Sequence, residues 1–337
     1  MRILIVGPAW VGDMVMMQSL CKVLRQRDPE CHIDVVAPAW TGPLLARIPE
    51  VRRGISLDVD HGHLALHKRW GLGRSLRGEA YDRAIVLSRS LKSAIVPFAA
   101  RARVRTGFRG EMRFGLLNDI RPLNKQALPR TVDRFVALGL DPGESLPAAL
   151  PEPALRADRD NAVAVLARLG RERSQTPILA LCPGAEYGPA KRWPPAHFAA
   201  VARSMREQGW EVWIFGSERD AGIAAEIQRD SGNACLDLSG KTSLVDALDL
   251  LSLADAAVSN DSGLMHVAAA AGTRVIAVFG SSDPAHTPPL STRAEIVRLG
   301  LDCSPCMKRV CPLGHTRCLV DLGPELVTSR LLPGTLA

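Results

Sequence analysis

Short apolar runs alternate with helix-length stretches along this 337-residue chain, and the alternation starts twice. In the first half the runs fall at 3–6, 33–37, 55–57, 84–87 and 103–107. A helix is predicted over 13–27, with Met17, Leu20, Cys21 and Leu24 on one face. Asp141-Pro142-Gly143, Pro147, Pro151 and Pro153 then break the rhythm between 141 and 159, a composition suited to a linker. The pattern resumes with a helix over 161–169 and runs at 178–182, 211–215, 235–238, 256–259 and 275–279. Strand and helix in turn build parallel sheets covered on both faces, because a parallel pair needs a crossover and the helix supplies it. The expected fold is α/β, with Rossmann-like doubly wound domains at 1–155 and 156–320 and a tail at 321–337. Two such domains facing one another place a ligand crevice between the carboxyl ends of their sheets.

No apolar run approaches the ~20 residues of a membrane span, and the apolar start at 1–6 is too short for a signal sequence. The expected location is therefore the cytosol. Cys21, Cys31, Cys182 and Cys235 are scattered as small core residues would be, unlike a secreted disulfide framework. The net charge of +7 is uneven: residues 52–130 hold 17 Lys/Arg against 6 Asp/Glu, and the rest of the chain is slightly acidic. That segment, from Arg52 through Arg101, Arg103, Arg105, Arg109 and Arg113 to Arg130, suits nucleic acid, an anionic membrane surface or a polyanionic substrate, or is a solvated basic face. With 4% aromatic residues and no nucleic-acid motif, the stacking platforms of single-strand binders are missing.

Several turns fall where strands end. Ser259-Asn260-Asp261-Ser262-Gly263 leads into a helix at 264–271, so its backbone N–H groups form an anion site suited to a diphosphate. Asp261 would repel phosphate, which points to a ligand that also carries hydroxyls, such as a nucleotide sugar. His266 lies one turn further on. Gly7-Pro8-Ala9-Trp10-Val11-Gly12-Asp13 lacks the G-x-G-x-x-G spacing of dinucleotide sites and instead presents Asp13, a candidate base or helix cap. The loop 183–194 carries Glu186, Tyr187, Lys191 and Arg192, and its two adjacent cations could neutralise a departing diphosphate or simply be solvated. Trp193 reads as a packing anchor. Glu218 follows a strand where an acid can accept from ribose hydroxyls, and Thr242 or Ser243 reads as a helix cap. Cys303, Cys306, Cys311 and Cys318, with His315, have C-x2-C-x4-C-x6-C spacing that matches neither common zinc pattern; packed, reduced cysteines are the favoured reading and a metal site the alternative. A serine hydrolase is set aside because no G-x-S-x-G elbow exists and Ser262 shares a helix with His266.

Together the turn at Gly7 to Asp13, the string Glu186-Tyr187-Gly188-Pro189-Ala190-Lys191-Arg192-Trp193-Pro194 and the block Asn260-Asp261-Ser262-Gly263-Leu264-Met265-His266 closely resemble the bacterial ADP-heptose:lipopolysaccharide heptosyltransferases of glycosyltransferase family 9. The likeness covers nearly the whole chain, and the 186–194 loop and the cysteine tail look like the heptosyltransferase II branch. The resemblance implies a GT-B fold whose N-terminal domain holds the acceptor, whose C-terminal domain holds ADP-heptose, and whose tail, interrupted by Pro333-Gly334, crosses back to the first domain. It implies Asp13 as the base and Lys191 as the partner of diphosphate and sugar. Glu218 would meet the ribose, Thr242 the adenine, Asp261 the heptose hydroxyls, and Ser262 and Gly263 the diphosphate. Glu186, Tyr187, Arg192 and His266 complete the donor set, with Glu186-Tyr187 standing where the heptosyltransferase I branch tends to carry threonines. The implied reaction is inverting and requires no cofactor, with ADP-heptose as donor and heptosyl-Kdo2-lipid A as acceptor, at the inner face of the inner membrane and without nucleic acid. Heptosyltransferase I, a sugar-nucleotide epimerase and a non-catalytic anion-binding module are the competing readings.

Overall fold

Six parallel strands form the first sheet: β1 (Arg2–Val6), β2 (His32–Pro38), β3 (Val51–Leu57), β4 (Arg83–Val86), β5 (Val104–Phe108) and β6 (Asp119–Arg121). Their order is β3-β2-β1-β4-β5-β6. A second sheet comprises β7 (Ile178–Cys182), β8 (Glu211–Ile214), β9 (Cys235–Asp237), β10 (Ala256–Asn260), β11 (Arg274–Val278) and β12 (Ala294–Val297), ordered β12-β11-β10-β7-β8-β9. Read from the other edge, the second order repeats the first strand for strand. The strand order reverses direction at β1/β4 and at β7/β10, and in open parallel sheets ligands bind beyond the carboxyl ends at such points. This computed structural model describes residues 1–59, 63–173 and 175–332. The chain divides into two units, Met1–Leu155 and Arg156–Ala337.

Central strands are continuous apolar runs because helices cover both faces. All five residues of β7 and of β10 are buried. In the first unit, helix Val11–Arg27 starts two residues before its expected position and buries Met14, Met17, Leu20, Cys21 and Leu24. It packs on helix Thr131–Gly139, where a Cβ on Gly139 would stand 2.4 Å from Leu20 Cδ1.

Two expectations about strands need correction. Strand β3 begins at Val51 because Arg52 and Arg53 reach the buried Asp34: Arg52 Nη2 donates to it at 2.6 Å, Arg53 Nη2 at 3.0 Å and the Tyr81 hydroxyl at 2.5 Å. Burial alone would raise the Asp34 pKa, yet these donors hold it below the usual carboxylate range. Edge strands β6 and β12 were missing from the sequence reading; at three and four residues, none of them more than partly apolar, they carry too little pattern to register. The proline-rich segment holds the point where the two units part, and its residues before that point are fastened to helix Val11–Arg27: Gln18 Nε2 donates to Ala154 O at 2.8 Å, Ala154 N to Gln18 Oε1 at 2.9 Å, and Ser19 Oγ to Pro151 O at 2.6 Å. Asp158 then caps helix Arg159–Arg168, two residues before its expected start.

The last described helix, Glu325–Leu331, packs on helix Pro195–Glu207 and β11 of its own unit, with Val327 and Leu331 in that core. Residues 333–337, including Pro333-Gly334, lie outside the described residues. No described helix is long and apolar enough to cross a membrane.

Candidate functional site

At the β7/β10 switch point Asn260 ties two strand ends together. Its Nδ2 donates to Pro183 O at 2.6 Å, and its Oδ1 accepts from Trp193 N at 3.0 Å, so both ends of the 183–193 loop are pinned to β10. Trp193 is buried, donates through Nε1 to Leu322 O at 2.8 Å and meets Phe198 edge-on at 4.9 Å; it is an anchor. Between these pins Lys191 forms an ion pair with Asp261. Its ammonium also lies 4.9 Å over the Tyr187 ring, and Arg309 lies 5.1 Å from the same ring. The Tyr187 hydroxyl donates to Met307 O at 3.1 Å. His266 faces the pair: burial pushes its pKa down to about 4, against the attraction of Asp261 and with the repulsion of Lys191, so it is neutral near pH 7. Ser262 is the N-cap of helix Gly263–Ala270 and makes no side-chain cap bond, leaving first-turn N–H groups for a ligand. Lys191, Asp261, Tyr187 and His266 thus share one place, beside Ser262 and Gly263.

The remaining candidates follow β7, β8 and β9. Glu218 is exposed after β8, and the turn after β9 leans on it: Gly240 has φ +69°, and a Cβ there would stand 3.2 Å from Glu218 Cα. Ser243, not Thr242, caps helix Leu244–Leu251 in a capping box with Asp246, so Thr242 is released from that role. Glu186 is exposed and pairs with Arg219 at 2.7 Å. Arg192 is exposed too and donates to Ala185 O at 3.4 Å, turned from the adjacent Lys191 pair. The sequence reading missed Arg309, and it missed Ser239, Ser281 and Ser282, whose buried hydroxyls have no hydrogen-bond partner. Ser281 and Ser282 follow β11 as Asp261 follows β10, and that position was the available signal.

In the first unit Asp13 is half-buried in the first turn of its helix. The N-cap is Trp10, so Asp13 is not the cap; its carboxylate sits in the first turn, where the helix dipole favours negative charge. The basic segment is not one free patch, because several of its arginines are engaged within their own unit. Arg52 and Arg53 serve Asp34 and Glu79, Arg130 serves Asp133, and the buried Arg113 donates to Ser88 O and Phe108 O. Arg83 and Arg121 donate to carbonyls ending helix Thr131–Gly139. Arg89 and Arg109 remain exposed beyond the carboxyl ends of β4 and β5.

All eight cysteines are free thiols. Cys21, Cys31 and Cys182 are buried, as expected of core residues. Cys306, Cys311 and Cys318 are half-buried, with Cys318 against the core of its unit, while Cys303 is exposed; the four are reduced, and only Cys303 departs from a packed position. All four line a cavity of about 20 Å³ with His315. Among the described residues no three His, Cys, Asp or Glu side chains are arranged to hold a metal ion.

Residues 69–317 match glycosyltransferase family 9 (heptosyltransferase). Lipopolysaccharide heptosyltransferase 2 of Escherichia coli K12 is 44% identical over 340 residues, covering 98% of this chain and 97% of that one. The chain belongs to glycosyltransferase family 9. Within the family, lipooligosaccharide heptosyltransferase 2 of Haemophilus influenzae is also 44% identical, over 345 residues and 98% of both chains. The solved structure of E. coli ADP-heptose lipopolysaccharide heptosyltransferase II aligns with a TM-score of 0.86 at 42% identity, covering 98% of this chain and 97% of that one. The α/β class expected from the resemblance, two parallel doubly wound sheets of GT-B type, is the class this chain adopts.

Proposed function

We propose that this family 9 chain is an inverting heptosyltransferase that moves L-glycero-D-manno-heptose from ADP-heptose to the heptose of heptosyl-Kdo2-lipid A. The observation that carries this reading is the Lys191–Asp261 pair beside neutral His266 and the uncapped start of helix Gly263–Ala270, at the β7/β10 switch point. A carboxylate next to an anion site suits a ligand that is both sugar and diphosphate. Along the sheet edge, β10, β7, β8 and β9 are adjacent in that order and spaced about 4.8 Å apart. Asp261 then takes heptose hydroxyls, Lys191, Ser262 and Gly263 the diphosphate, Glu218 the ribose and the Thr242 turn the adenine. That run of subsites fits an extended sugar nucleotide.

In the reaction, Asp13 accepts the proton of the acceptor hydroxyl while its oxygen bonds to the anomeric carbon of the heptose. The bond from that carbon to the diphosphate oxygen breaks on the opposite face, and ADP leaves with the electron pair. Positive charge builds on the sugar and negative charge on the diphosphate, as in other glycosyl transfers. Lys191, aided by Arg309 and the helix N–H groups, supplies the neutralisation that the leaving group needs. Neutral His266 adds no competing charge. Arg89 and Arg109 lie near the carboxyl ends of their sheet, suited to the phosphates of the inner core. The acceptor's lipid A places the enzyme at the inner face of the inner membrane, as a peripheral protein.

The test is Asp13→Ala. Transfer is expected to fall by about 100-fold or more, the usual contribution of a positioned base. ADP-heptose affinity, read by calorimetry, is expected to stay unchanged. Retention of most transfer activity would remove Asp13 from the role.

A further inference from the structure

One group of arginines serves neither the fold's ion pairs nor the proposed reaction. Arg77, Arg101, Arg103 and Arg105 line a cavity of about 440 Å³ together with Trp70 and Phe98, and no acidic side chain lines it. Two of the guanidiniums are held in place: Arg77 Nε donates to Ala99 O at 2.9 Å, and Arg105 donates to Leu116 O and Ala102 O, each at 2.7 Å. Arg105 also lies 5.5 Å over the Phe98 ring, whose centroid is 6.0 Å from that of Trp70. Desolvation, then repulsion from Arg101 and Arg74, lowers the Arg77 pKa. Like charges gathered without a counterion favour an anion, and their anchoring to carbonyls lowers the ordering cost of binding it.

Trp70 joins the cavity to an exposed apolar stripe. On helix Leu66–Ser75, Leu66, Trp70 and Arg74 are four apart and share one stripe, with Leu66 53% and Trp70 39% exposed. Leu64, just before the helix, is 49% exposed. Exposed Trp and Leu beside several arginines is the composition of a membrane-surface contact.

Position separates this cavity from the transfer chemistry. Ile3, Arg83 and Val104 stand level across β1, β4 and β5, and Arg77 precedes β4 while Arg101 and Arg103 precede β5. These arginines therefore lie off the amino ends of the strands, whereas Asp13 follows the carboxyl end of β1. One sugar residue cannot span both edges. We propose that this cavity binds the phosphate headgroups of an anionic phospholipid bilayer, with Leu64, Leu66 and Trp70 entering its interfacial layer. The assignment rests on the membrane contact proposed above and supplies its surface. It fails separately from the transferase reading, because one is read by lipid binding and the other by sugar transfer.

The test is sedimentation of the full chain with vesicles of phosphatidylglycerol and phosphatidylcholine, or of phosphatidylcholine alone, at about 0.15 M salt. The protein is expected to pellet only with the anionic vesicles. At about fivefold in affinity per basic residue, Arg101→Glu with Arg103→Glu should weaken that binding by roughly 25-fold or more. Trp70→Ser should weaken it as well. Both variants should transfer heptose to a deacylated, water-soluble acceptor at the wild-type rate. Unchanged vesicle binding by the charge-reversal variant would overturn the proposal. So would release from vesicles by inorganic phosphate matched to the lipid phosphate, which marks a soluble-anion pocket, or a preference for an oligonucleotide over the vesicles. Loss of soluble-acceptor transfer with vesicle binding intact would place these arginines in the acceptor site and overturn it too.

Discussion

Lys191 and Asp261 are the two residues whose contact organises the carboxyl end of β10, the place proposed for the donor. The Asp261 side chain is 5% exposed and that of Lys191 16%, so the pair is held mostly out of water. Such a pair adds little net stability over an apolar replacement, yet removing one member strands the other charge. Lys191→Met is therefore expected to destabilise the protein by about 3 kcal/mol, and Lys191→Met with Asp261→Asn to recover most of that loss. Chemical denaturation checks both; a single variant as stable as wild type would contradict the pairing. His266 adds a pH dependence. Its pKa is about 4 in the folded chain against an ordinary value near 6.5, so the unfolded state binds the proton more readily. Its contribution is fully present above pH ~6.5 and is lost as the pH falls toward 4. Between pH 7.5 and 5 the wild type should lose about 2 kcal/mol more than His266→Asn, measured by urea unfolding at each pH. An identical pH profile for the two would contradict it.

The elements that carry the site were legible because they are repetitive and apolar. β7, β10 and the helix after Asp261 follow from runs such as Ile-Leu-Ala-Leu-Cys and Ala-Ala-Val-Ser-Asn, and the turn at their ends is where an α/β sheet binds ligands. What stayed hidden depends on contacts distant in sequence. Arg309 lies in the cysteine loop, and nothing local predicts that it meets Tyr187. Ser281 and Ser282 look like turn residues until burial leaves their hydroxyls without partners. The basic segment read as one patch because Asp34 and Asp133, which pair with its arginines, lie outside it in sequence, and because a charge count does not show that Glu79 pairs with Arg52 and Arg53. Gly188 shows how closely two loops approach: a Cβ there would stand 2.5 Å from Arg309 O, and Ala190 N donates to that same oxygen at 3.1 Å. Because the obstruction is backbone, Gly188→Ala should push the 186–193 loop off the cysteine loop. The expected result is an ADP-heptose affinity reduced about tenfold or more, with thermal stability changed far less. Calorimetric titration reads this, and unchanged affinity would show that the loop contact does not position the donor.

Across the whole molecule, one strand order is used twice, and each unit places its candidate groups beyond the carboxyl ends at the switch point. The two units differ in what they present there: the first offers Asp13 with exposed cations Arg89 and Arg109, the second an ion pair, a neutral imidazole and open helix N–H groups. The family is established by the whole chain, since 98% of it aligns with the E. coli and H. influenzae relatives. The choice of acceptor is the finer claim, and it separates this reading from a first heptose transfer or an epimerase. The decisive measurement is mass spectrometry of products after incubation with ADP-heptose and either Kdo2-lipid A or heptosyl-Kdo2-lipid A. One added heptose on heptosyl-Kdo2-lipid A, with no addition to Kdo2-lipid A, is the expected result; addition to Kdo2-lipid A, or turnover of ADP-heptose with no product on either acceptor, would contradict it.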